Sequence, residues 1–195
     1  MNALSSFSAR RRRGWSLGAA LLALAGCDIS NCDDTPPAPS GQLDRIADLA
    51  LVTPPTDGEP RSFLIAANPE IQQLRIFDVL EQRFVAAPNL YFPLSARTGP
   101  ATSRLTVAPN EPRYVLALDT AGDVLQLLSV ETNVIIDEDT VAPAFTTIGL
   151  FPTGRAPSDI AAWRDERLGL LALVTLPAAS AVQVLALDVD AGTAL

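Results

Sequence analysis

The chain has 195 residues, of which 48% are hydrophobic and 18% are charged, and its formal net charge at pH 7 is -8. All 14 basic residues are arginine and there is no histidine, which excludes Ser-His-Asp and Cys-His catalytic pairs and histidine-based metal sites. The acidic balance argues against nucleic acid as a partner, because phosphate backbones repel an acidic surface. We expect no metal and no cofactor.

Residues 1–26 have the layout of a secretory signal peptide. Four arginines, 10–13, precede an apolar stretch from Trp15 to Gly26. This order holds the amino end on the cytoplasmic side while the apolar stretch enters the bilayer. A spanning helix needs roughly 20 apolar residues, and this stretch has about a dozen. The sequence therefore predicts that the segment is cleaved.

The end of this segment carries the motif Leu24-Ala25-Gly26-Cys27. An aliphatic residue, two small residues and a cysteine at this distance from an arginine run resemble the lipobox of bacterial lipoproteins. The resemblance implies that Cys27 receives diacylglycerol, that cleavage follows Gly26, and that the new amino terminus is acylated by a fatty acid such as palmitate. Several acyl chains hold a membrane far more firmly than one. The alternative is ordinary cleavage and a Cys27–Cys32 disulfide in an oxidising compartment.

Two neighbouring residues bear on location. If Cys27 carries lipid, Cys32 has no intrachain thiol partner, since the chain contains two cysteines. Asp28 resembles the residue that retains lipoproteins in the inner membrane of enteric bacteria. We therefore expect a protein of the bacterial cell envelope, anchored to membrane lipid through Cys27 and facing the periplasm or the exterior, with Asp28 favouring the inner membrane.

After cleavage the chain divides into a tether and a body. Residues 27–42 are mostly Asp, Ser, Asn, Thr and Pro with a single Ile, which is too little apolar surface to offset the entropy of ordering and predicts a disordered tether. Residues 43–195 then form one domain of ordinary size. The mature part has a net charge of -12, and its ten arginines are scattered singly, which predicts no basic patch for nucleic acid or a membrane surface.

The body is predicted to be all-β. Short runs of branched and aromatic residues alternate with Pro, Gly, Asp and Asn, and long helical patterns are absent. The clearest strands are predicted at 61–67, 72–79, 113–119, 123–130, 168–176 and 181–189. Residues 164–167, Arg-Asp-Glu-Arg, are predicted to form a hairpin tip before the fifth of these strands.

Three units repeat along the body, starting at Ile46, Ser103 and Ser158, with spacings of 57 and 55 residues. Each reads as four strands joined by polar turns, the pattern of a β-propeller blade. The predicted fold is a partial β-propeller of about three four-stranded blades, with an open β-sandwich as the alternative. Because propellers usually have about four to eight blades, the body is expected to be incomplete at its C-terminal end.

The repeats resemble the YVTN-type, lactonase-like β-propellers of bacterial periplasmic and surface proteins. The segments similar to that family's strands and turns are 77–82 (FDVLEQ), 108–118 (APNEPRYVLAL), 128–133 (LSVETN) and 187–193 (LDVDAGT), and 151–161 (FPTGRAPSDIA) is similar to its junction between blades. The resemblance implies two possible functions. One is a noncatalytic binding or scaffold module whose rim or upper face binds a protein, peptide or glycan. The alternative is a fragment of a lactonase-like hydrolase whose catalytic residues lie in missing blades.

The absence of histidine favours the noncatalytic function, because acid–base work would fall to carboxylates alone. Asp137, Glu138 and Asp139 are predicted to form a solvated loop. Asp188, Asp190 and Gly192 imitate the opening of a calcium loop, but the distal ligands are missing, so a hairpin turn is predicted. Asp119 and Asp123 flank a glycine turn in which Asp makes local hydrogen bonds.

One aromatic residue, Trp163, stands out as a candidate for a binding surface. Burial in the core or between blades is the preferred prediction for it. The one site that the sequence assigns is therefore the lipidation site at Cys27.

Overall fold

The computed structural model describes residues 45–55, 60–86, 93–137 and 140–194, and for 132–143 it describes the backbone alone. These ranges contain thirteen β-strands, one turn of 3-10 helix (Pro177–Ala179) and no α-helix. The strands are β1 (Asp48–Val52), β2 (Phe63–Asn68), β3 (Gln73–Asp78), β4 (Arg83–Phe84), β5 (Ser95–Arg97), β6 (Thr102–Val107), β7 (Tyr114–Asp119), β8 (Val124–Asp137), β9 (Thr140–Pro152), β10 (Asp159–Asp165), β11 (Gly169–Leu176), β12 (Ala181–Asp188) and β13 (Thr193–Ala194).

The strands form three antiparallel sheets that follow one another along the chain. In the first sheet the order is β1-β2-β3-β4, and β5 pairs with the other end of β3, so β4 and β5 together make its outer edge. The second sheet has the order β6-β7-β8-β9 and the third β10-β11-β12-β13. None of the three closes on itself. The all-β class is confirmed, and the six strands predicted from sequence correspond to β2, β3, β7, β8, β11 and β12.

Alternation of residues along the strands explains how the sheets stack. In β11 every second residue is buried, from Leu170 to Leu176, whereas all six residues of β7 are buried. A strand buried on both faces belongs to a sheet that is covered on both sides. Accordingly, Val115 and Ala117 of β7 pack in an apolar core shared with the first sheet, and Leu116 and Leu118 pack in a second core shared with the third sheet.

The first strands of the sheets lie side by side. β1 lies against β6, and β6 lies against β10, while the outer strands β5, β9 and β13 neighbour one another in the same order. Polar contacts join the first strands as well: the backbone N–H of Leu105 donates to Asp48 Oδ2 at 2.8 Å, and Arg104 pairs with Asp159 at 3.6 Å. The three sheets therefore stack face to face with their first strands together.

The predicted turns are confirmed with one exception. Residues 79–82, 166–168 and 189–192 form turns, and 153–158 connects the second sheet to the third. By contrast, the segment 128–133, whose resemblance to the propeller family implies a strand followed by a turn, lies wholly inside β8, which continues to Asp137. The register between β8 and β9 shifts between Glu131 and Val134. An irregularity of this kind accommodates polar residues without ending the strand.

Candidate functional site

Most of the carboxylates considered as candidates for chemistry are parts of turns. Four aspartates at strand ends each use Oδ1 to accept the backbone N–H groups of the residues two and three positions later, at 2.8–3.1 Å. They are Asp78, Asp119, Asp165 and Asp188. This is the local hydrogen bonding for which turns select Asp. The turn predictions for Asp119 with Asp123 and for Asp188 with Asp190 and Gly192 are thereby confirmed.

Asp165 shows the electrostatic effect of this arrangement. Its carboxylate accepts hydrogen bonds from the N–H of Leu168 at 2.9 Å and of Arg167 at 2.8 Å. Hydrogen bonds to the charged form favour ionisation, and these two lower the pKa of Asp165 below its ordinary value of 3.8. The carboxylate therefore stays ionised to lower pH than a free one and is not tuned to act as an acid near neutrality.

The acidic stretch at 137–139 is described in part. Asp137 pairs with Thr140 at the end of the β8–β9 hairpin, while Glu138 and Asp139 lie outside the described residues. In the part of the chain that the structure covers, no group of three His, Cys, Asp or Glu residues is placed to hold a metal ion.

Trp163 corrects a sequence prediction. It was expected to pack in the core or between blades, but its side chain is 60% exposed on β10. Trp163 alternates with Ala162, which packs toward the second sheet, and therefore projects from the opposite face of the third sheet. No other described sheet covers that face, so nothing is available to bury the indole.

A pocket of about 450 Å³ opens between the second and third sheets. Glu111, Arg113 and Tyr114, beside the start of β7, form one side, and Arg164 and Arg167, at the β10–β11 turn, form the other. The remaining wall consists of Leu168, Gly169, Leu170, Ala186, Leu187, Asp188, Val189 and Asp190.

Two of the arginines in this pocket are already held in place. Arg164 forms an ion pair with Glu111 across the two sheets. The Arg113 guanidinium lies 4.7 Å from the centre of the Tyr114 ring, and its Nη2 donates to the Tyr114 hydroxyl at 2.7 Å. Arg167 is exposed. Guanidinium groups bind carboxylates through paired hydrogen bonds. Glu111, Asp188 and Asp190 line the same pocket, and Glu111 pairs with Arg164, so Arg113 and Arg167 are the groups placed to meet an anionic ligand.

Sequence reasoning missed this pocket because its arginines are far apart in the chain. Arg113 precedes the second strand of the second sheet, whereas Arg164 and Arg167 belong to the first hairpin of the third sheet, and the stacking of the sheets brings them together. The repeat was the available signal, because equivalent strands and turns recur in each unit, but the repeat alone did not show which of them meet.

Cys27, the predicted lipidation residue, lies outside the described residues, as do Asp28 and Cys32. Among the described residues, no helix is both long enough and apolar enough to cross a membrane. Comparisons of the chain with models of protein families, with curated proteins and with solved structures find no match.

Proposed function

We propose that this chain is a lipid-anchored protein of the bacterial cell envelope whose body consists of three β-propeller blades and acts as a noncatalytic binding module. The blade interpretation is supported by the stacking of three four-stranded meanders with their first strands adjacent. In the alternative sandwich, two sheets would pack against each other, whereas here the middle sheet packs on both faces.

The pocket between the second and third sheets carries the proposal of binding. It joins three arginines, Arg113, Arg164 and Arg167, with three carboxylates, Glu111, Asp188 and Asp190, in a chain of net charge -8. The ligand is a peptide or glycan with carboxylate groups, held by Arg113 and Arg167. Tyr114, which is 4% exposed, holds Arg113 in position from below. The four turn aspartates also support a noncatalytic role, because each carboxylate already accepts hydrogen bonds from backbone N–H groups. They are Asp78, Asp119, Asp165 and Asp188.

The binding test uses two carboxylate probes, a short glutamate-rich peptide and a galacturonate oligosaccharide, titrated by calorimetry or by NMR against the purified full chain. We expect one of them to bind, and Arg113→Ala and Arg167→Ala each to weaken that binding about tenfold, as loss of one charge-assisted hydrogen-bonded pair of about 1.5 kcal/mol implies. Arg83→Ala is the control, since Arg83 pairs with Glu81 elsewhere. Equal weakening by the control, or no binding of either probe, would refute the pocket.

The anchor is tested separately by metabolic labelling with a fatty acid in a bacterial host. The wild type and Cys32→Ser should incorporate label, whereas Cys27→Ser should not, because only Cys27 stands at the end of the Leu24-Ala25-Gly26-Cys27 motif. Equal labelling of Cys27→Ser and wild type would overturn lipidation at this residue.

The proposed inner-membrane location depends on Asp28. Membrane fractionation in an enteric host should place the wild type with the inner membrane, and Asp28→Ser should move it to the outer-membrane fraction. An identical distribution of the two proteins would contradict sorting by Asp28.

A further inference from the structure

The three sheets can be aligned residue by residue from a turn that they share. In each, the turn between the second and third strands ends on a residue with positive φ: Gln72 (55°), Asp123 (54°) and Ser180 (50°). Nine residues earlier, Phe63, Tyr114 and Leu171 occupy the same position in the second strand of each sheet. A position that is buried in one sheet can therefore be compared with its counterparts in the other two.

The comparison explains the exposure of Trp163. Trp163 pairs with Leu171, as Val52 pairs with Phe63 and as Ala108 bonds to Tyr114. Val52 and Ala108 face the next sheet along the chain and are 0% and 2% exposed, whereas Trp163 is 60% exposed. Trp163 thus occupies a position that is buried wherever a following sheet is present.

The third strand repeats the pattern. Val182 and Val184 follow Ser180 by two and four residues, which is the position of Leu74 and Ile76 in the first sheet. Leu74 and Ile76 are fully buried against the second sheet, whereas the two valines are 57% and 54% exposed. The outer face of the third sheet, defined by Trp163, Val182, Val184, Leu171 and Leu173, is therefore built to be covered.

The outer face of the first sheet has the complementary character. Its exposed residues Leu49 and Val79 correspond to Leu105 and Val130, which in the second sheet are buried against the preceding sheet. Leu51 is also exposed, and its counterpart Val107 packs against the same core.

A polar position on the first sheet agrees with this. Arg75 in the first sheet is equivalent to Gln126 in the second and Gln183 in the third. The Gln126 amide donates to the Arg97 carbonyl at 3.1 Å. The Gln183 side-chain oxygen accepts from the Gly154 N–H at 2.7 Å. The Gln126 contact reaches β5 of the preceding sheet, and the Gln183 contact reaches the connection that leads from the preceding sheet.

We infer that the outer face of the third sheet docks onto the outer face of the first sheet of a second copy of this chain. The chain carries both halves of one more sheet-to-sheet interface of the kind it already contains twice. In both interfaces within the chain, the face that looks toward the following sheet packs on the face that looks toward the preceding sheet, and not on its like. Docking is therefore head to tail, and it closes into a dimer or extends according to the rotation between copies.

The test uses two double variants of the full chain. The third-face variant is Trp163→Glu with Val184→Glu, and the first-face variant is Leu49→Glu with Leu51→Glu. All four side chains are exposed in the single chain, so the variants should fold. Leu150→Glu is the control, since Leu150 is equally exposed but lies on β9 of the middle sheet. Copies with two different tags are co-expressed and solubilised in mild detergent, and one tag is captured while the other is detected.

Wild type and Leu150→Glu should each recover the second tag, and each face variant paired with itself should not. The decisive arm mixes the two variants: the first-face variant keeps an intact third sheet and the third-face variant keeps an intact first sheet, so the mixed pair should associate again. Recovery in the mixed pair also shows that both variants are folded. Absence of wild-type association at high micromolar concentration, association of a face variant with itself, or failure of the mixed pair would each overturn the inference.

Discussion

At the scale of single residues, Asp119 joins its own turn to the connection between the first two sheets. It is 6% exposed, and its Oδ1 accepts the N–H groups of Ala121 and Gly122 in its own turn and of Ala101 in the connection between the first two sheets, at 3.0–3.2 Å. Removal of the carboxylate leaves several backbone donors without their acceptor in a partly buried site.

We expect Asp119→Ala to lower the free energy of unfolding by about 1–3 kcal/mol, the cost of leaving buried hydrogen-bonding groups unsatisfied. Urea denaturation measures the loss. Asp188→Ala is the control, because Asp188 is exposed and serves only its own turn, so its loss should be smaller. Equal losses would show that the bond to Ala101 contributes nothing.

Asp165 gives a prediction in pH. Its pKa is lower in the folded chain than the ordinary 3.8, because the N–H groups of Leu168 and Arg167 bond to the charged form. Since the folded pKa is the lower one, the stabilisation is complete above the ordinary value and is lost as pH falls through the folded pKa. The difference in unfolding free energy between wild type and Asp165→Asn should therefore be constant near neutrality and shrink in acid. A difference that grows as pH falls would contradict this.

Residue roles were predictable from sequence where their causes are local. The turn aspartates accept hydrogen bonds from residues two and three positions later, so a few adjacent residues are enough to predict their role. The exposure of Trp163 depends on whether another sheet covers its face of the third sheet. The pocket depends on which ends of the strands lie next to each other in two stacked sheets. Neither can be read from the residues next to Arg113 or Trp163.

At the scale of elements, one turn design recurs. In five turns a strand-ending Asn or Asp is followed four positions later by a residue of positive φ. These residues are Gln72, Gln82, Asp123, Gly169 and Gly192. Only glycine adopts this conformation without steric cost, so the two glutamines hold a strained backbone.

Adjacent glutamines make a matched test of this strain. Gln72 has φ of 55°, whereas Gln73 is the first residue of β3. Gln72→Gly should raise the free energy of unfolding by up to about 1 kcal/mol, since a left-handed residue with a Cβ costs about 1–2 kcal/mol and the flexibility of glycine offsets part of this. Gln73→Gly should lower it by roughly 0.5–1 kcal/mol. Thermal or urea unfolding measures both, and a loss of stability in Gln72→Gly would refute the strain.

The elements themselves were largely predictable, because alternation and turn residues are strong local signals. All six strands predicted from the sequence are present. The hairpin predicted to have its tip at 164–167 forms, but its turn lies at 166–168, because Arg164 and Asp165 still belong to β10. The strand β8 continues through 131–133 for a physical reason. It pairs with β9 as far as Asp137, and this pairing holds polar residues in a strand that would otherwise favour a turn.

At the scale of the whole molecule, stability is unevenly distributed. Within the part of the chain that the structure describes, the middle sheet is covered on both faces, while the first and third sheets each have one face that no other sheet covers. Regions with fewer buried contacts open more readily than the core. The strands β7 and β11 can be compared directly, because each is the second strand of its sheet.

We therefore expect amides of β7 to exchange hydrogen more slowly than amides of β11. Both strands are hydrogen-bonded to neighbours on each side, but all six residues of β7 are buried, whereas β11 is buried only at alternate positions. Hydrogen exchange followed by mass spectrometry on the third-face variant, Trp163→Glu with Val184→Glu, measures the difference without a contribution from association. In the wild type, docking of a second copy should slow exchange in β11 and bring it closer to β7. Equal rates for the two strands in the variant would mean that burial of the middle sheet does not control opening.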